Sequence, residues 1–340
     1  MGYEMAKVSL ADIAKKTGYS IATVSNALNH KRSVGEETAE KIRSVAADMG
    51  YLRRNSLECI RLVFARKKAL TIDESTHHPF VIEGVEDAAR ARGLQTAISY
   101  LDILGNDGDL DRAREVLDNP GEGAILLGTE LGRADLARIR PVLDRVVLLD
   151  CWINNFDLDS VTLENQSSAY HATSYLIERG HKNIGYLYGN FRIHNFQERE
   201  QGFELALKDA GLDSTDVVRV ELGETPESAY RMMREWLSHS PELPTAFFAD
   251  NDVIAVSAVR AMTDAGIDVP GDVSVVGFDD VILANACNPP LTTMRTPRHE
   301  MGATAVRLLM EKYERTEADC PTMRYQLPTK LVERKSVKKL

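Results

Sequence analysis

The sequence predicts a small all-α helix-turn-helix head followed by a two-lobed α/β body with parallel sheets. Three observations lead there. The first fifty residues carry apolar positions at helical spacing, broken by a glycine turn; from Ile60 onward short β-rich runs alternate with amphipathic helical runs. The 340 residues also exceed one comfortable core, since single cores stop growing near ~250–300 residues. With 44% hydrophobic and 27% charged residues, the chain has a globular balance that excludes global disorder and collagen-like or coiled-coil character.

In the head, Ser9 and Asp12 form a capping arrangement for a helix starting near Leu10, on which Ile13, Ala14 and Thr17 continue the spacing begun at Val8. Gly18 ends it. Ser20 offers the next N-cap, and the helix through Ala22 to Leu28 carries Val24 and Leu28 on one face. Two short helices joined by a tight glycine turn make a helix-turn-helix, whose second helix can enter a major groove. A third helix, Glu36 to Met49, supplies Ile42, Val45, Ala46 and Met49 to close the core, and Gly50 stops it. Residues 1–68 hold thirteen Lys/Arg against seven Asp/Glu, a net +6 in a chain of −10, which leaves −16 for the remainder. A basic head attracts phosphates while an acidic body repels DNA.

In the body, strands are expected at Ile60–Ala65, Thr96–Tyr100, Ala124–Leu127, Val146–Leu149, Ile184–Tyr188, Val217–Val220, Ala246–Phe248 and Val273–Phe278. Helices fall at Phe80–Arg92, Ser167–Arg179, Gln197–Ala210, Ser228–Leu237 and Val253–Ala265. Such alternation builds parallel sheets covered on both faces. Some 270 residues of it imply two lobes, with ligand held between them beyond the carboxyl ends of the strands.

Candidate ligand groups therefore follow strands. Asp279 closes Val275-Val276-Gly277-Phe278 and Asn251 follows Ala246-Phe247-Phe248-Ala249-Asp250; carboxylate and amide groups suit sugar hydroxyls. Arg199 opens a helix, and its fork of donors can clamp vicinal hydroxyls or a carboxylate. Trp152, just after Asp150, and Phe80, in His77-His78-Pro79-Phe80, can stack on a pyranose. Each has a structural alternative: Asn251 or Asp252 as a helix cap, Asp279 satisfying turn amides, Arg199 paired with Glu198 or Glu200, Trp152 in lobe or dimer packing, Phe80 as a core anchor. His77 and His78 lack a third ligand at diagnostic spacing, so no metal is expected.

The sequence shows no GxxxxGK loop, GxGxxG after the first strand, GxSxG elbow or HExxH, so neither a cofactor nor a catalytic residue is expected. An α/β carbohydrate enzyme is the rival this disfavours; a free-standing cytoplasmic sugar-binding protein is the rival the basic head opposes. Cys59, Cys151, Cys287 and Cys320 lie far apart without a CxxC pair, which fits a reduced cytoplasm. No apolar run of ~18 residues and no signal-peptide core at the N-terminus points to export or membrane insertion.

The run Val8-Ser9-Leu10-Ala11-Asp12-Ile13-Ala14-Lys15-Lys16-Thr17-Gly18-Tyr19-Ser20-Ile21-Ala22-Thr23-Val24-Ser25-Asn26-Ala27-Leu28-Asn29 closely resembles the head of the LacI/GalR family of bacterial transcription regulators. Thr38–Tyr51, Glu164–Phe203 and Ala246–Met301 extend the resemblance over nearly the whole chain. The resemblance implies that Ile21, Ala22 and Asn26 point at base edges. Asn26 can donate and accept, whereas Ile21 and Ala22 give only apolar contact, as with a thymine methyl. It assigns Ser9, Ser20, Thr23, Ser25 and Asn29 to the DNA backbone, Ser20 being equally a cap.

The hinge departs from the family pattern. Tyr51-Leu52-Arg53-Arg54-Asn55-Ser56-Leu57-Glu58-Cys59-Ile60 lacks the family's Pro and Ala-Arg pair; Leu57 either wedges into a minor groove or packs on the first strand. The body is similar to the periplasmic sugar-binding fold, with crossings near Val161, Thr292 and Tyr325. That gives a head at 1–57, a hinge at 58–60, one lobe from 61–161 with 292–324, and a second from 162–291 with 325–340. In the family the positions of Arg199, Asn251 and Asp279 contact effector. The resemblance thus implies a cytoplasmic, sequence-specific repressor of near-palindromic double-stranded operator DNA, acting as a homodimer, its affinity set by a small molecule. A sugar is the first choice, with purines and other metabolites as alternatives. No leucine heptad follows the last strand, so a dimer is expected rather than a tetramer.

Overall fold

The computed structural model describes residues 9–28, 34–49, 57–67, 78–119, 121–212, 217–314 and 321–340. Val8, Asn29, Gly50, hinge residues 51–56, His77 and Cys320 lie outside the described residues.

The head is three helices, α1 (Leu10–Thr17), α2 (Ile21–Leu28) and α3 (Glu36–Asp48). Ser9 and Asp12 cap α1 reciprocally: the Ser9 backbone N–H donates to the Asp12 carboxylate at 2.8 Å, and the Asp12 N–H donates to Ser9 Oγ at 3.3 Å. Gly18 ends α1 at φ 77°, left-handed backbone that glycine adopts without steric cost. Ile13, Val24, Ala27, Ala39, Ile42 and Ala46 form the buried core. Ile13, Val24 and Ile42 each contribute roughly 1.5–3 kcal/mol by burial, which holds a unit too small for a second layer. Val45 and Met49 are half-buried at its edge.

The body contains two six-stranded sheets. The strands are β1 (Cys59–Arg66), β2 (Gln95–Asp102), β3 (Glu122–Leu127), β4 (Val146–Leu149), β5 (Ser160–Leu163), β6 (Ile184–Gly189), β7 (Arg219–Leu222), β8 (Ala246–Ala249), β9 (Ser274–Asp279), β10 (Thr292–Arg295), β11 (Arg324–Leu327) and β12 (Lys330–Val332). The first sheet runs β11-β5-β4-β3-β1-β2, the second β12-β10-β9-β8-β6-β7, and only β12 is antiparallel to its neighbour. Alternation along each strand sends residues to opposite faces: Ile60, Leu62 and Phe64 join one core, Val63 and Ala65 another.

The covering helices are α4 (His78–Arg90), α5 (Asp109–Leu117), α6 (Arg133–Ile139), α7 (Asn165–Glu178), α8 (His194–Asp209), α9 (Pro226–Ser238), α10 (Asp252–Asp264), α11 (Ile282–Ala286) and α12 (Arg298–Glu314). The α5, α6, α11 and α12 helices were not among the sequence expectations, although Met301, Ala305, Leu308 and Leu309 of α12 are all buried at helical spacing. Two helix pairs approach closely through glycine. A Cβ on Gly302 of α12 would lie 2.3 Å from the Val81 carbonyl oxygen of α4, and one on Gly202 of α8 would lie 2.1 Å from the Gln166 carbonyl oxygen of α7.

Three expectations are corrected. The hinge assigned to 58–60 is already sheet: Glu58 N–H donates to the Gly121 carbonyl, its own carbonyl accepts from Gln95, and Cys59 begins β1. The strand Thr292–Arg295, assigned to the first lobe, pairs with β9 in the second sheet; β11, with Tyr325, pairs with β5 in the first. The chain therefore changes sheet just after Leu163, after Arg295 and after Leu327, because each crossing strand completes its ladder before leaving. The strand expected at Val217–Val220 is Arg219–Leu222. Among the described residues, no helix is long and apolar enough to cross a membrane.

Candidate functional site

The head presents α2 with Ile21 53% exposed and Ala22 also exposed, while Thr23, Ser25 and Asn26 are half-buried. Ser20 acts as the cap: its Oγ accepts from the Thr23 N–H at 3.0 Å and lies 2.8 Å from Thr23 Oγ1. Ser9 is likewise engaged with Asp12, whose carboxyl those hydrogen bonds hold below its ordinary pKa. Leu57 is half-buried against the first-sheet core, the packing alternative to a wedge.

In the body, side chains from the carboxyl ends of both sheets meet. Asp150 leaves β4 at φ 53°, a conformation that costs a non-glycine residue on the order of 1–3 kcal/mol and aims its carboxylate inward. Its Oδ2 accepts from Thr129 Oγ1 in the same lobe, and its Oδ1 accepts from Asn195 Nδ2 on α8 in the other, both at 2.8 Å. Burial outweighs these bonds and the neighbouring Arg199, and raises the Asp150 pKa to about 6.

Arg199 sits one helical turn beyond Asn195 and is buried. Its Nε donates to Asn165 Oδ1 at 3.0 Å, its Nη1 donates to the Asp250 backbone oxygen at 2.6 Å, and its Nη2 lies 3.5 Å from Asp279 Oδ1. The guanidinium carbon stands 3.6 Å from the centre of the Phe278 ring. Surface pairing with Glu198 or Glu200 is not what the fold uses: Glu198 accepts from Asn165 Nδ2 at 3.1 Å, and Glu200 pairs with Arg192 at 2.8 Å. Asp279 ends β9 at φ 113°, and burial raises its pKa against the pull of Arg199 and Arg298.

Asn251 takes its capping alternative, its Oδ1 accepting from the Ile254 N–H at 2.9 Å. Asp252 is a buried brace between strands, accepting from the Val281 N–H at 2.9 Å and from Thr293 Oγ1 at 2.6 Å. Trp152 has the Arg324 guanidinium 3.8 Å over its ring and His194 of α8 with ring centres 5.7 Å apart, so it packs between the lobes. Phe80 is 39% exposed in the first turn of α4, with Arg298 stacked 4.8 Å from its ring centre. His78 packs edge-on against Phe64. Among the described residues, no three His, Cys, Asp or Glu side chains are grouped to hold a metal, and Cys59, Cys151 and Cys287 are free thiols.

The structure thus brings Arg199 and Asp279 together, places Trp152 between the lobes and Phe80 against Arg298, and makes Asn251 a cap. Sequence reasoning missed Asp150, Asn165, Asn195 and Arg298. Asp150 is signalled by its strand-end position; Arg298 carries no signal without the packing of α12.

Residues 9–54 match the pattern described as "Bacterial regulatory proteins, lacI family", and residues 173–337 match a periplasmic binding protein-like domain. Curated relatives include HTH-type transcriptional repressors PurR of Haemophilus influenzae, 28% identical over 345 residues, and of Mannheimia succiniciproducens, 29% identical over 346; each alignment covers 98% of this chain and 99% of the relative. A solved complex of the transcriptional regulator CelR with cellobiose is 27% identical with TM-score 0.70, covering 97% of this chain and 99% of that one. The Lac repressor dimer bound to operator and the anti-inducer ONPF shares the fold at 23% identity and TM-score 0.69, over 98% of this chain and 100% of that one. The chain thus carries a LacI-family DNA-binding head on a periplasmic binding protein-like body, and it is similar over nearly its whole length to LacI-family repressors.

Proposed function

We propose that this regulator is a repressor that binds a near-palindromic operator as a homodimer, and that a small polar molecule seated between its lobes sets its affinity for that DNA. The observation that carries the reading is the cross-lobe bond from Asn195 to Asp150 beside the buried Arg199–Asp279 pair. A molecule meeting those groups contacts both lobes at once, so its affinity must differ between lobe arrangements, which is what shifts a population. A carbohydrate is the preferred class: carboxylate, amide and guanidinium groups match hydroxyls, and a cellobiose-bound relative has the same architecture over nearly the full chain. The relatives named PurR keep a purine as the second reading. Of the head residues, Ile21, Ala22 and Asn26 face bases in this proposal, with Thr23, Ser25 and the capped ends of α1 and α2 at phosphates.

Selection from random duplexes with the full chain tests it. Enrichment of an inverted repeat, bound by two chains, is expected. Recovery of random sequence alone would remove the operator-binding claim.

A further inference from the structure

The leading end of α2 presents apolar surface where a base reader would ordinarily present hydrogen bonds. Among the described residues of the head, Ile21 is the only large apolar side chain left exposed, at 53%, and it is the first residue of α2. Ala22 beside it is exposed as well, whereas Val24 and Ala27 of the same helix are buried in the head's core. The neighbouring hydroxyls are turned to local backbone and to each other. Ser20 Oγ accepts from the Thr23 N–H at 3.0 Å and lies 2.8 Å from Thr23 Oγ1, and Thr17 Oγ1 donates to the Ile13 carbonyl oxygen at 2.8 Å. Lys15 and Lys16 are exposed in the last turn of α1, just before this apolar tip in the chain.

An apolar side chain gains by leaving water, and cations beside it favour a polyanion as the surface that covers it. The N-terminal residues of a recognition helix are the ones that reach base edges in the major groove. Those edges carry hydrogen-bonding groups on all four bases but only one apolar group, the C5-methyl of thymine. Isoleucine cannot pair with the former and can cover the latter. Ala22 has no atoms beyond Cβ, so it does not hold α2 away from the bases next to Ile21.

We infer that Ile21 reads a pyrimidine C5-methyl group, so that each operator half-site carries a thymine recognised by its methyl. The inference rests on the operator-binding reading proposed above and adds the chemical group that is read. It divides the labour on α2: Asn26 reads by hydrogen bonds, and Ile21 reads by apolar contact. The same methyl occurs in 5-methylcytosine, which Ile21 therefore favours over cytosine.

The test uses the full chain and the inverted repeat recovered by duplex selection, with dissociation constants measured by anisotropy at fixed ionic strength. Each thymine of the half-site is replaced in turn by uracil, which removes the methyl and keeps every hydrogen-bonding group. At one thymine the replacement should weaken binding about fourfold in one half-site and roughly fifteenfold in both, the scale of a single buried methyl group. It should cost Ile21→Ala nothing, while Asn26→Ala should keep the difference. Ile21→Val, which retains part of the apolar surface, should keep part of it and serves alone if Ile21→Ala no longer binds the duplex. With a C·G pair at the same position, 5-methylcytosine should bind about fourfold more tightly than cytosine, which separates the methyl from the rest of the thymine edge. Three results would overturn the inference: no thymine whose methyl changes binding by more than about twofold, a methyl effect that survives undiminished in the Ile21 variants, or cytosine and 5-methylcytosine bound alike. A recovered repeat insensitive to its methyl groups would leave operator binding standing and remove this inference alone. Recovery of no repeat would remove both.

Discussion

Asn165 Oδ1 accepts from Arg199 Nε at 3.0 Å, and through this bond the first residue of α7, one step beyond the chain's first crossing between sheets, fixes the buried arginine of the inter-lobe site. The same amide donates from Nδ2 to Glu198. Both hydrogen-bonding ends of Asn165 are therefore spent on α8, and Gly202 permits the α7–α8 approach that makes this possible. A movement of the crossing segment cannot leave Arg199 where it is.

Asn165→Ala removes an acceptor from a buried guanidinium, an interaction worth about 1.5–3 kcal/mol, and strands the Nε donor. Urea unfolding should show a loss of about 2–3 kcal/mol. Asn165→Asp keeps the acceptor for Nε and gives up only the donor to Glu198, so it should cost less than Asn165→Ala.

Gly302→Ala tests the seat of α12. The added methyl would meet the Val81 carbonyl oxygen at 2.3 Å, backbone that cannot step aside locally. Overpacking of this kind costs about 1–3 kcal/mol. Urea unfolding of the variant should show a loss of that size.

Glu224 gives the body a pH dependence of defined sign. Its Oε1 accepts from the Phe191 N–H at 2.7 Å, and burial raises its pKa to about 7, with Asp250 and Glu130 adding to the rise. Between its ordinary pKa of 4.5 and 7 the folded chain therefore holds a proton the unfolded chain has released. Stability contributed here is present at the acidic end and lost as pH rises through 7. Glu224→Gln keeps the acceptor for Phe191 without the charge. The variant should exceed wild type by about 1–2 kcal/mol at pH 8 and match it near pH 5. Equal differences at both pH values would remove Glu224 as the cause.

Asn26→Ala, measured by anisotropy against the duplex that selection recovers, should cost roughly 1–3 kcal/mol, with far less lost against random duplex. Equal losses on both would take Asn26 out of sequence reading and leave it a backbone contact.

How far the sequence could be read follows from what each signal depends on. The Ser9–Asp12 cap and the Gly18 stop are local, and they form as the residue types require. Strands β1 and β4 were legible as apolar runs, because both faces of a parallel sheet are buried. The short β5 and β10 strands were not, since Ser160, Thr162, Thr292 and Thr293 interrupt the apolar run and their partners make them strands. In the site, Arg199 and Asp279 were legible from position at helix start and strand end. Asn251 caps α10 through one hydrogen bond from the Ile254 N–H, a bond the sequence leaves open. Arg298 reaches Asp280 only through α12's packing on α4, a relation between segments more than two hundred residues apart.

The central claim is energetic coupling between the inter-lobe site and the head. The measurement that addresses it most directly is the dissociation constant for the selected duplex, at fixed ionic strength, with and without a saturating concentration of the carbohydrate or purine probe that gives the largest thermal shift. Coupling of about 1–3 kcal/mol, a change of roughly 5- to 150-fold that disappears in Arg199→Ala, is expected. The same dissociation constant in both conditions, with the probe demonstrably bound, would contradict the account.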